Sequence, residues 1–282
     1  MNPGKLMEYE DVGEGKLEVS LNLGMLYGKG KERQKFENNY AKYSDLEENA
    51  VIVKERGKDH LIYYSEQIIP RKRDDKPSVL LVFGNPASHS VISGMFFSYQ
   101  GKNKEQEHRL WGALRKAGIF KFNAENMVLN NSERNELRKK ALFELTYTTP
   151  FRMGLAVYYS MPSPASEKSW GGVSGLQRLF SKKALEQIWE AEKFRINELI
   201  RRFIKEDGAV ITFQKDAWNG IKSKNDPHYC RAEMLEGYLM GKCDCCEGVR
   251  LYCAPTTRNI LGKKSIEILA DIKKSILNKD KI

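Results

Sequence analysis

Val79–Phe83 is five consecutive apolar residues, and the chain then continues Gly84-Asn85-Pro86-Ala87. A strand without polar alternation has to be buried on both faces, as parallel strands covered by helices are. The glycine and proline end it abruptly and fix an amide side chain, Asn85, at its carboxyl end, where open α/β sheets place their ligand sites. About a dozen residues on, Gly94-Met95-Phe96-Phe97 sets an aromatic face behind a glycine. A rigid amide and a flat apolar plate suit a flat heterocycle better than a phosphate or a sugar. Neighbours on an extended segment face opposite ways, so one of Phe96 and Phe97 is expected in the core.

From Ser78 onward, strand and helix patterns alternate, which predicts βαβ units and a parallel sheet. The expected strands are Val79–Phe83, Leu155–Tyr159, Ala209–Phe213 and Val249–Cys253. Between them fall a helix from Gln106 to Ala117, ended by Gly118, and a longer one from Ser181 to Ile204, stopped by Gly208. The longer helix repeats Leu185, Ile188, Trp189, Ile196, Leu199, Ile200 and Phe203 at helical spacing. A last helix runs from Asn259 to Leu277, with Ile266, Leu269, Ile272 and Ile276 on one face. The expected class is α/β, a three-layer αβα arrangement with a central four-stranded parallel sheet over residues 76–282. Residues 1–75 read as an N-terminal extension packed on that core. It has a polar helix over Lys31–Leu46 and short strands at Ala50–Val53 and Leu61–Tyr64. The charged run Arg71–Pro77 closes it as a solvated linker.

The chain has 282 residues, 41% of them hydrophobic and 30% charged, which describes a globular chain with ample core rather than a disordered one. No apolar run approaches the ~18 residues of a membrane span. The opening MNPGKLMEYEDVGEG lacks the apolar stretch of a secretory signal. Three of the five cysteines crowd into Cys243, Cys245 and Cys246, unlike a secreted disulfide framework. His228, Cys230 and these three would be enough ligands for zinc, but a CxCC loop without a paired CxxC is a weak metal motif, and free buried thiols are the simpler account. A cytoplasmic protein is expected, nucleoid-associated if bacterial or archaeal. Net charge is +10, and a basic surface attracts polyanions by counterion release.

Near the C-terminus the apolar strand Val249–Cys253 runs into Ala254-Pro255-Thr256-Thr257-Arg258-Asn259. Taken together, FGNPA with GMFF and APTTRN resemble the two active-site motifs of the uracil-DNA glycosylase superfamily. The resemblance is greatest to its single-strand-selective monofunctional branch, whose motifs read GMNPG with a Gly-x-Pro-Phe element, and HPSPRN. It covers roughly Val79 to the end, with the motifs in the right order and separation. It implies a four-stranded parallel sheet with helices on both sides and hydrolysis of the N-glycosidic bond of uracil or a deaminated purine in base excision repair. The implied partner is single- or double-stranded DNA with a flipped base, bound by a monomer without cofactor, metal or membrane.

Cleaving a base from deoxyribose passes through an oxocarbenium-like state, so a well-placed water suffices and an asparagine carbonyl can hold it. Asn85 takes that role in the resemblance, and Phe97 takes the aromatic that stacks on the flipped base. Gly84, Pro86, Ala87 and Ser88 surround the base, with backbone N–H groups at Ala87 and Ser88 able to receive its carbonyl. Thr256, Thr257, Arg258 and Asn259 occupy the DNA-binding wedge loop, where hydroxyls bond phosphates and an arginine fills the gap left by an extruded base. Two positions depart from the family. Ala254 stands where the family has a histidine that stabilises the leaving base. Tyr159 or Ser160 stands where an asparagine reads the pyrimidine edge. His89, in the loop after Asn85, is a candidate substitute for the missing donor, or a surface histidine. Two other readings stay open: a DNA-binding module of the same fold with weakened catalysis, and an α/β protein binding a free nucleotide or nucleoside.

Overall fold

The computed structural model of the chain describes residues 3–57, 59–98, 107–122, 129–164, 167–205, 207–259 and 262–278. Its first elements are α1 (Pro3–Leu6), β1 (Met7–Gly13), β2 (Lys16–Asn22), α2 (Leu23–Tyr27), α3 (Lys31–Ser44), α4 (Glu47–Ile52), β3 (Val53–Arg56) and β4 (His60–Ile68). There follow β5 (Ser78–Phe83), α5 (Ser88–Ser93), α6 (Arg109–Lys116), α7 (Asn131–Glu144), β6 (Arg152–Val157), α8 (Gly172–Phe180) and α9 (Lys182–Phe203). The last are β7 (Ala209–Thr212), α10 (Lys215–Ile221), α11 (Arg231–Glu236), β8 (Leu239–Lys242), β9 (Arg250–Cys253) and α12 (Lys263–Leu277). The chain packs as two compact units that interleave in sequence. One is Met1–Gln67, Gly84–Phe96 and Val157–Ile196; the other is Ile68–Phe83, Phe97–Ala156 and Asn197–Ile282.

The second unit carries the four expected strands, in the order β6-β5-β7-β9, with β8 added at the edge. All residues of β5, β6 and β7 are buried, as their mainly apolar sequences require, with Ser78, Arg152 and Thr212 the polar members. β5 and β7 pair in parallel, as do β7 and β9, so Val82, Thr212 and Cys253 lie side by side near their carboxyl ends. β8 returns antiparallel on β9. Arg152 opens β6 with a buried guanidinium that donates to the carbonyls of Lys72 and Pro70, both at 3.0 Å, and lies 4.5 Å from the centroid of the Phe203 ring. Its N–H groups are thus met mainly by backbone oxygens, and the Asp74 carboxylate favours its charge electrostatically. Gly208 is set by space: a Cβ there would sit 2.5 Å from the Ser78 carbonyl. In α12 the buried apolar face is Ile268, Leu269, Ile272 and Ile276; three of these belong to the expected stripe, and Ile268 takes the place of Ile266, which is half-exposed. Arg250 fastens its end, donating to the Ser275 and Ile276 carbonyls at 2.6 and 2.7 Å.

The first unit holds antiparallel strands in the order β1-β2-β4, with β3 also on β4. In β2, Leu17, Val19 and Leu21 are buried while their neighbours are half-exposed, the period-two pattern of a half-buried strand. β1 exposes Glu8, Glu10, Asp11 and Val12, and its acidic residues discourage further strands from adding to that edge.

The class is therefore α/β, but a four-stranded parallel sheet is too small a description. The described residues form nine strands, and most of the pairings are antiparallel. The expected strand at Ala50–Val53 is instead the end of α4 followed by β3, because Glu47 and Glu48 favour a helical first turn. The helix expected from Gln106 begins at Arg109, and Gln106 lies outside the described residues. The helix expected from Asn259 is a 3-10 turn at Thr257–Asn259, then α12; residues 260–261 lie outside the described set. No helix among the described residues is long and apolar enough to cross a membrane.

Candidate functional site

Asn85 lies two residues beyond the end of β5, in a loop laced to the segment after β6. The N–H of Tyr159 donates to the Gly84 carbonyl at 3.0 Å, that of Ser163 to Pro86 at 3.0 Å, and that of Ser88 to Ser163 at 3.1 Å. The Asn85 amide is held by the same partner, its Nδ2 donating to Ser163 Oγ at 2.7 Å and to the Pro86 carbonyl at 3.3 Å. A carbonyl can only accept, so the nitrogen must face Pro86, and Oδ1 is turned the other way as the acceptor. Ser163 Oγ is fixed in turn by the N–H of Gly172 at 3.0 Å. Asn85 is half-exposed, so a pre-oriented amide oxygen stands at the surface of this unit.

The helix that follows is anchored in the same unit. Ser88 Oγ donates to Asn49 Oδ1 at 2.6 Å, and Asn49 Nδ2 donates to the Tyr43 carbonyl at 2.8 Å. The Ser88 N–H expected to receive a base carbonyl is thus already taken by Ser163. His89 does not sit in a surface loop; it is buried in the first turn of α5. Ser160 is fully buried, and its N–H and Oγ both donate to Glu192 Oε1 at 2.5 Å. Its hydroxyl hydrogen being used, Ser160 must accept from the Tyr63 hydroxyl at 2.8 Å. Burial holds the Tyr63 phenol far above its usual pKa, so it stays a donor. Glu192 is closed on its other side by Arg195 at 2.7 Å, and Arg195 also caps the Val157 carbonyl at 2.6 Å. The Tyr159 ring is buried against Tyr158, edge to face at 5.4 Å. Neither Tyr159 nor Ser160 is therefore placed like an asparagine reading a base edge.

Phe96, the last residue of its segment in the first unit, is the core residue, wholly buried; Phe97, in the second unit, is half-exposed. Phe97 has φ 56, a left-handed conformation that bulky residues avoid. Its ring meets Phe83 edge-on at 4.8 Å and His108 at 4.6 Å with an interplanar angle of 32°. At the end of β9, the N–H of Ala254 donates to the Thr212 carbonyl at 2.9 Å and the side chain is fully buried. Thr256 and Thr257 are half-exposed and Arg258 is exposed, on the 3-10 turn that ends at Asn259. Beside that turn, Met234, Leu235, Pro255, Lys263 and Lys264 line a cavity of about 320 Å³. The cysteines are free thiols, and burial raises Cys243 well above its usual pKa, Cys245 to about 11 and Cys253 to about 12. Among the described residues, no three His, Cys, Asp or Glu side chains come together as a metal site.

Ser163 and His108 are the two site residues that the sequence reading passes over. Ser163 carries a signal: Met161-Pro162-Ser163-Pro164 is a proline-bracketed serine just after an apolar strand, a stiff segment suited to holding another loop. His108 carries none beyond its place ahead of a helix. No family model and no curated protein matches this chain.

Proposed function

We propose that this chain is a DNA glycosylase that hydrolyses the N-glycosidic bond of uracil or a deaminated purine, on a uracil-DNA glycosylase-like three-layer core. The carrying observation is the seat of Asn85. Its nitrogen is fixed by Pro86 and Ser163, so its oxygen is pre-set to hold a water, and preorganisation of that kind removes an entropic barrier. Phe97 supports the reading independently, because a half-exposed ring on a strained backbone is costly unless the ring has work to do. Phe97 then stacks on the extruded base, the Thr256–Asn259 turn contacts the strand, and the +10 charge draws in the polymer. The protein acts as a cytoplasmic monomer.

Alanine at position 254 is the observation that favours a second reading, a DNA-binding module of the same fold. A buried methyl cannot donate to a departing base, and loss of one such donor costs roughly 10²–10³ in rate. The deciding experiment incubates the protein with oligonucleotides bearing uracil, hypoxanthine or xanthine and then treats them with alkali. Strand scission at the modified base is expected. Binding without scission on all three would leave only the module.

A further inference from the structure

We propose that His108 is the positioning residue for the Phe97 ring, an inference that rests on Phe97 stacking on the base. An aromatic residue at φ 56 needs neighbours that over-determine its pose. Phe83 stands nearly perpendicular to the Phe97 ring, 4.8 Å between centroids at 79°, and Phe83 is itself stacked on Phe213 at 4.9 Å, so that contact belongs to the sheet. The imidazole of His108 supplies a second contact, 4.6 Å away and tilted only 32° from the Phe97 plane.

What makes His108 more than a neighbour is that its own ring is fixed. It is the N-cap of α6, and its Nδ1 accepts the Leu110 N–H at 3.2 Å. A nitrogen that accepts carries no proton, so the imidazole has its hydrogen on Nε2 and its plane is set by the helix. α6 is in turn seated by buried Leu110, Trp111, Ala113 and Leu114. Orientation thus passes from a packed helix to the imidazole and from the imidazole to Phe97. The two roles of His108, cap and stacking partner, use the in-plane lone pair of Nδ1 and the ring itself, and can be separated by substitution.

The test uses full-length protein and two oligonucleotides that differ at one position. One carries 2′-fluoro-deoxyuridine, whose electron-withdrawing fluorine blocks departure of the base; the other carries a tetrahydrofuran abasic site. Stacking should make the parent prefer the base-bearing strand by roughly tenfold. His108→Asn keeps a capping acceptor but loses the stacking ring, and should erase that preference while leaving the melting temperature nearly unchanged. His108→Phe keeps a ring but loses the cap, and should retain the preference at a lower melting temperature. The opposite ranking, or loss of the preference in His108→Phe, would show that His108 only caps α6 and would overturn the proposal, while base release by the parent would still stand for the glycosylase reading. If His108→Phe does not fold, Phe97→Leu decides: adding His108→Asn to it should cost no further preference, and an additive loss would overturn the proposal. A parent with neither preference nor base release would instead overturn the functional reading itself.

Discussion

Asn85 serves a hydrolase only through its oxygen, and the bonds from its nitrogen to Ser163 and Pro86 are what commit that oxygen. Asn85→Ala should lower base release by at least about a hundredfold, since it removes positioning, while oligonucleotide affinity changes little because no phosphate contact is lost. Single-turnover rates and a binding titration on the same strand check this. Ala254→His returns a donor to the end of β9 and should raise the rate on uracil-containing DNA by about tenfold or more; an unchanged rate would mean the leaving base is stabilised elsewhere. A third residue bears on stability. Glu66 is buried in β4, one of its oxygens lacks a hydrogen-bond partner, and burial lifts its pKa well above 4.5. Lys16, opposite it in register, does not pair with it and lies 5.8 Å from the Tyr64 ring instead. The folded state therefore keeps a proton that the unfolded chain releases, and stability falls as pH rises from about 4.5 toward the raised value. Glu66→Gln, neutral throughout, should melt higher than the parent at pH 7 and lose that advantage near pH 4.

At the scale of elements, what was legible in the sequence is what burial on both faces dictates. Apolar runs announced β5, β6, β7 and β9, 3.6-residue periodicity announced α9 and α12, and α3 was legible only as a polar helix. The hairpin β1–β2 is acidic on its exposed face, so no dense apolar run marked it, although Leu17, Val19 and Leu21 alternate. α7 has little amphipathic contrast and is started instead by an Asn130/Glu133 capping box, a signal in two polar residues. The candidate site was legible only as far as local chain chemistry reaches. Asn85 and Phe97 stand next to a strand end and a glycine, whereas Ser163 and His108 act through partners that only tertiary packing supplies. Packing also fixes Gly175 in α8, where an added Cβ would fall 1.8 Å from the Trp170 carbonyl oxygen. Gly175→Ala should destabilise by about 2–3 kcal/mol and lower the melting temperature by roughly 4–12 °C, readable by calorimetry.

Across the whole molecule, a charge of +10 makes the proposed DNA contact mainly a matter of phosphates and released counterions. Affinity for an oligonucleotide should fall by at least tenfold between 50 and 200 mM salt, on the order expected for a few phosphate contacts. A flat response would point to a free nucleotide as the ligand. The interleaved course of the chain has a different consequence, for synthesis. The unit that holds Asn85 is assembled from residues 1–67, 84–96 and 157–196, tied together by bonds such as Ser88 to Asn49, Tyr63 to Ser160 and Tyr43 to Pro162. While the ribosome is still making residues 97–156, Tyr63 and Tyr43 have been translated and their partners have not. The early hairpin and helices must wait, with apolar faces open, until residue 196 clears the exit tunnel. Slow elongation through 97–156 should therefore favour chaperone capture of the nascent chain over early folding.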